Sequence, residues 1–217
     1  MKDIVINCTG ITTSNATRVG EGDKCVHVTS SGAVTLENVR ITIPSNQDFV
    51  TGILHEGSGT LRVTNSSVVA VSSGQKQGVV GIYGNTAVGS VEVVGSTVSL
   101  SAIQAAGSAT GRDGNVFAVV LSGPIASGRV EGSSIQVREG DSSGTPKIAI
   151  GVCVKATGTV TVQDNTFTNA PSGDPSYSIA IYNEGAGPVV PTPMPTRNTF
   201  NGFSSSNQYV ESGFSCP

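Results

Sequence analysis

Leu61-Arg-Val-Thr-Asn-Ser-Ser-Val68 decides how this chain folds. Apolar residues at 61 and 63 alternate with polar ones at 62 and 64, so one strand face meets a core and the other meets water. Asn65 then supplies a side chain that enters the left-handed helical region at modest cost, and Val68 returns the chain to the core. The same form, apolar-x-apolar-x-turn-x-x-apolar, recurs on either side. Copies lie at Val34–Ile41, Val91–Val98, Gly128–Ile135, Val160–Phe167 and Pro193–Phe200, with a weaker one at Ile4–Ile11. Their turn positions are Cys8, Asn38, Asn65, Gly95, Gly132, Asp164 and Arg197, so the unit recurs every 27 to 37 residues along nearly the whole chain.

One such unit cannot bury its apolar face alone, whereas stacked units share a continuous core. A second short strand precedes each copy, at 26–28, 52–54, 80–83, 116–121, 148–154 and 178–182. Length variation is confined to one corner, at 72–78, 101–115, 138–147 and 168–176. These features predict an all-β chain: a single-stranded right-handed parallel β-helix, or solenoid, of about seven coils. It occupies residues 1–202, and a C-terminal tail at 203–217 covers or caps it. At the strand spacing of a sheet, seven coils stand about 34 Å tall. The Asn-Thr-Phe copies at 165–167 and 198–200, with the coil length and core pattern, resemble the pectin-lyase-like superfamily of right-handed β-helices. The resemblance spans about residues 3–202 and concerns the fold. That superfamily includes polysaccharide lyases, glycoside hydrolases, phage tailspikes and surface adhesins, so it implies no single activity.

Composition narrows the function. Of the 217 residues only 12% are charged, and Gly, Ser, Thr and Val are abundant, which favours short strands joined by tight turns. The net charge is −3 and no Lys/Arg run occurs, so nucleic acid is not an expected partner. No apolar stretch reaches the length of a membrane span. The opening residues lack the long apolar region of a secretory leader. Of the four cysteines, Cys8 and Cys25 lie in or beside the first coil and are the best candidates for a disulfide; the pairing of Cys153 and Cys216 stays open. With no C-x-x-C and two histidines, neither a metal nor a cofactor is expected.

Signals for catalysis are weak. The seven aspartates are scattered, and paired-carboxylate hydrolysis needs two carboxyls about 5–10 Å apart. The nearest candidate set is Asp113, Glu139 and Asp141, with Arg112 and Arg138, on corner loops of successive coils. Mixed charges on Gly/Ser loops are more often solvated surface. His27 projects outward and His55 sits beside Glu56, both read as hydrogen-bonded surface histidines. Tyr83 and Tyr182, three coils apart, are a sparse platform for a glycan.

The sheet faces differ in character. Before the turn, the outward columns Thr35, Arg62, Glu92, Arg129, Thr161 and Glu37, Thr64, Val94, Glu131, Gln163 form a solvated face with charges alternating from coil to coil. Charges also interrupt any Thr ladder there of the kind ice binding would use. On the upstream strands, taking Val26, Ile53, Ile82, Val120, Val152 and Ile181 as inward leaves His27, Leu54, Tyr83, Leu121, Cys153 and Tyr182 outward. Beside them runs a second column of Cys25, Gly52, Gly81, Val119, Gly151 and Ala180. A face without charge marks an interface, filled either by the Pro-rich segment 186–196 or the tail, or by other subunits as in a homotrimer. The residues favour a non-enzymatic structural or adhesive β-helix at an extracellular or virion surface, in contact with structural subunits or glycans. A lyase or hydrolase acting at residues 112–141, and a carbohydrate-binding module, are the competing readings.

Overall fold

The computed structural model describes residues 1–8, 22–45, 50–72, 79–85, 89–102, 115–138, 148–169, 178–185, 187–190 and 197–217. Their strands form three sheets, parallel throughout, and each sheet takes every third strand of the chain. The upstream sheet stacks Lys24–Val28, Val50–His55, Val79–Asn85, Val116–Gly123, Ala149–Ala156, Ser178–Asn183 and Tyr209–Val210. The sheet before the turn stacks Val34–Glu37, Thr60–Thr64, Ser90–Val94, Ser127–Glu131, Thr159–Gln163 and Val189–Val190. The sheet after the turn stacks Val5–Asn7, Arg40–Ser45, Ser67–Ser72, Thr97–Ala102, Ser134–Arg138, Thr166–Asn169 and Thr199–Asn201. This is a parallel β-helix. Its only helical piece among the described residues is a single turn at Ser205–Asn207.

The register places Leu36, Val63, Val93, Val130 and Val162 on successive rungs of one inward column. Ile41, Val68, Val98, Ile135, Phe167 and Phe200 form another. Phe167 and Phe200 stack with centroids 5.4 Å apart, extending the apolar column into the last coil.

The corner between these two columns turns through left-handed residues. Asn38, Asn65 and Asp164 have φ between 49° and 58°, and Gly95 and Gly132 sit at 58°. The first member of the series is Asp3, φ 53°, and not Cys8. Val5 and Ile6 pair with Arg40 and Ile41, which puts Asp3 under Asn38, whose Nδ2 donates to Asp3 Oδ1 at 3.0 Å. In the last copy Arg197–Phe200 lies over Asp164–Phe167 as the repeat predicts, and the strand paired with Val160–Thr161 is Val189–Val190. Of the Pro-rich segment expected at 186–196, residues 186 and 191–196 lie outside the described residues.

From Asn65 onward the residue after each turn is Ser or Asn, and these build an internal polar ladder. Val39 N donates to Ser66 Oγ, Ser66 N to Ser96 Oγ, Ser96 N to Ser133 Oγ, Ser133 N to Asn165 Oδ1 and Asn165 N to Asn198 Oδ1, all within 2.9–3.2 Å. Each side chain satisfies a backbone donor that the bend has pulled out of the sheet ladders. Six rungs are therefore linked by one spine of five hydrogen bonds.

The upstream sheet departs from simple alternation. Gly52, Gly81, Ala118, Gly151 and Ala180 face inward, and so do the next residues, Ile53, Ile82, Val119, Val152 and Ile181. A Cβ on Gly81 would stand 2.7 Å from Val98 Cγ1, and one on Gly151 would stand 2.7 Å from Phe167 Cδ1, which places both in the main core. Two consecutive inward residues require a bend in each strand, and that bend changes the side-chain parity beyond it. The column Cys25, Gly52, Gly81, Val119, Gly151, Ala180, expected outside, is therefore not an outer face. Val119 takes the inward place expected for Val120, and Leu121 is buried in the main core. The outward member on that rung is Val120.

Candidate functional site

The outer side of the upstream sheet carries a second apolar cluster. One column runs Thr51, Val80, Phe117, Ile150 and Ile179. The other runs His27, Leu54, Tyr83, Val120, Cys153, Tyr182 and Val210. Apart from His27 and Val210 at its two ends, this face is buried within the single chain. The C-terminal tail covers one end of it. Cys216 is bridged to Cys153, and the Phe214 ring meets Tyr182 edge-on at 5.9 Å. Tyr182 Oη donates to Phe214 O at 2.5 Å and accepts from Phe214 N at 3.1 Å. Glu184 Oε2 accepts from Cys216 N at 2.6 Å, and Lys155 stands 3.5 Å from the same carboxylate. Tyr182 is thus committed to the tail, and Tyr83, largely buried three rungs away, has its phenol pushed up chiefly by burial. Neither offers the exposed ring expected of a glycan platform. A subunit docking on the Cys153–Tyr182 end of this face would have to displace the tail.

The other candidate residues divide cleanly. Asp113, Glu139 and Asp141, with Arg112, lie outside the described residues. His27 is exposed, its Nε2 2.7 Å from Glu56. His55 is not a surface residue: it is fully buried, with Nε2 3.1 Å from Gly59 O, and Glu56 turns to His27 instead. Cys8 and Cys25 are disulfide-bonded, as are Cys153 and Cys216. Among the described residues no group of three or more His, Cys, Asp or Glu could hold a metal ion, and no helix is long and apolar enough to cross a membrane.

On the face before the turn, the charged groups bind one another. Arg62 clamps Glu92 on the next rung through two hydrogen bonds of 2.9 and 3.1 Å. Arg129 does not continue the alternation; it bonds Glu131, two residues along its own strand, at 2.6 Å. Arg197 holds Asp164 from the coil beyond, with a second bond to Gln163 at 3.0 Å. The Arg129 hydrogen bond holds the Glu131 carboxyl below the usual glutamate range, with Gln163 adding to the effect. Because the folded value is depressed, this pair stabilises the fold above the unfolded glutamate pKa and ceases to do so as pH falls through the folded one. A carboxyl-detected NMR titration should find Glu131 low, and Arg129→Gln should move it upward. An unchanged titration in that variant would contradict the assignment. The stability effect is small, since the pair lies in solvent.

The face after the turn is different again. Its first outward column reads Arg40, Ser67, Thr97, Ser134, Thr166 and Thr199. Its second reads Asn7, Thr42, Val69, Ser99, Gln136, Thr168 and Asn201. Thr97, Ser134, Gln136, Thr166, Thr199 and Asn201 are exposed, and the others from Ser67 onward are half-buried. The signal was present in the two residues flanking each re-entry position, such as Thr97 and Ser99 around Val98.

No protein-family model, curated protein or solved structure matches this chain.

Proposed function

We propose that the protein is a non-enzymatic β-helical scaffold that presents its sheet faces to a surface or partner. One observation carries this reading. The charged side chains of the solvated face neutralise each other, as Arg62–Glu92, Arg129–Glu131 and Arg197–Asp164, and so serve the wall they stand on. A hydrolase or lyase would instead hold carboxylates apart, across a bond to be cleaved. Two disulfides support an oxidising location, such as an extracellular or virion surface. The coil repeat and the Asn-Thr-Phe copies support kinship of design with pectin-lyase-like β-helices, where scaffolds and adhesins occur beside enzymes.

The test is turnover. Incubated with acidic and neutral polysaccharides, with and without Ca²⁺, the purified chain is expected to release no reducing ends or unsaturated products. Product formation that disappears in Asp113→Ala or Asp141→Ala would replace the scaffold with an enzyme.

A further inference from the structure

The face after the turn is a two-dimensional lattice. Its hydroxyls and amides repeat about 4.8 Å apart from coil to coil and about 6.7 Å apart along each strand, the two-residue step of an extended chain. The pairing is in register from Arg40–Thr42 to Thr199–Asn201, so the repeat extends over six rungs. From Ser67 to Asn201 these two columns contain no charged side chain and no aromatic ring. Arg40 and Arg138 stand at the margins of this face, and most of the remaining charge is on the neighbouring sheet, in Arg62, Glu92, Arg129 and Glu131.

A ligand for such a face must match it in charge and in periodicity. A polyanion finds only Arg40 and Arg138, at the margins, and a polycation finds no counter-charge in the two columns. A single sugar is gripped by converging polar groups in a concavity or by stacking on aromatics, and a flat repeating face supplies neither. A neutral lattice of hydrogen-bond donors and acceptors does fit. Ser and Thr hydroxyls both donate and accept, as water does. The methyl groups of Thr97, Thr166, Thr168 and Thr199, with Val69 among them, add apolar points where first-shell water is orientationally restrained. Both repeats of the face lie near repeats of hexagonal ice. The stack fixes this spacing, because every rung is pinned by its neighbours through sheet hydrogen bonds and the Ser/Asn spine.

We propose that the two columns Ser67–Thr97–Ser134–Thr166–Thr199 and Thr42–Val69–Ser99–Gln136–Thr168–Asn201 bind the surface of ice through an ordered water layer. The proposal rests on the scaffold reading, since it makes this face the working surface.

The experiment uses the full chain and ice grown from buffered water. Thermal hysteresis and inhibition of ice recrystallisation are measured for the wild type, for Ser134→Lys combined with Thr166→Lys at the centre of the face, and for Thr161→Lys on the neighbouring charged face. Circular dichroism melts establish that each variant is folded, and Thr97→Lys alone replaces the double variant if that one does not fold. The wild type and Thr161→Lys should shape ice and keep its grains small, and the lysine-bearing lattice should lose both effects. Wild-type protein that leaves ice growth at the level of buffer overturns the proposal, as does a lattice variant as active as wild type. Either result, without polysaccharide turnover, leaves the scaffold reading standing; turnover removes that reading by itself.

Discussion

Gly81→Val is expected to lower the stability of the fold by about 4 kcal/mol or more. A Cβ at Gly81 would lie 2.6 Å from Ala118 O, a backbone atom of the next coil, and 2.7 Å from Val98 Cγ1. Neither neighbour can yield freely. Ala118 is held between the rungs of Val79–Asn85 and Ala149–Ala156, and Val98 is fully buried between Val68 and Ile135. Valine adds two further carbons to that clash. Overpacking of a close-packed core alone costs about 1–3 kcal/mol. Spreading two hydrogen-bonded coils adds to this, for a total of about 4 kcal/mol or more, at the extreme for single substitutions. Urea denaturation followed by far-ultraviolet circular dichroism gives the value. A loss below about 1 kcal/mol would show that the bend at this rung is adaptable, contrary to the packing described.

The second large effect is expected from removing the Cys153–Cys216 bridge. Its partners are 63 residues apart, and closing a loop of that length restricts the unfolded chain by about 4 kcal/mol at most. The native side adds little that would replace it. Beyond Val210 the tail makes no sheet pairing, and it is held by Tyr182, Glu184 and the bridge. The double variant Cys153→Ser, Cys216→Ser should therefore lose the tail before it loses the coils. Hydrogen exchange should quicken first at Tyr209–Val210 and at Phe214, a dye that binds apolar surface should report the uncovered end of the upstream sheet, and the global midpoint should fall. Unchanged exchange at Phe214 would mean that Tyr182 and Glu184 suffice to hold the tail.

The coil was legible because its information is local. Leu61, Val63 and Val68 around Asn65 state strand, turn and re-entry in eight residues, and the form survives in five other copies. Where the copy degenerates, the pattern misleads: Ile4–Ile11 imitates the unit, but only pairing with Arg40 and Ile41 reveals Asp3 as the turn. The upstream sheet was harder, since nearly every residue of Val116–Leu121 is apolar and parity carries no signal there. Gly52, Gly81 and Gly151 hinted at close approach, yet a glycine column suits an inner bend as well as an outer contact. His55 was misplaced for a different reason: alternation from inward Ile53 and outward Leu54 already turns it inward, but its polar ring at a strand end beside Glu56 read as surface. The covered face depended on residues far away in sequence, and no local pattern joins Tyr182 to Phe214.

The positions of the two bridges have a mechanical consequence. A one-dimensional array melts by fraying from its termini, because a terminal unit has a neighbour on one side only. Cys8–Cys25 ties the first described strand to the second, and Cys153–Cys216 ties the last residues back across two rungs. Unpairing at either margin of the described coils is thus opposed by a bridge, while each inner rung is gripped from above and below. Reduction should accordingly quicken the release of these two margins before it affects the rungs between them.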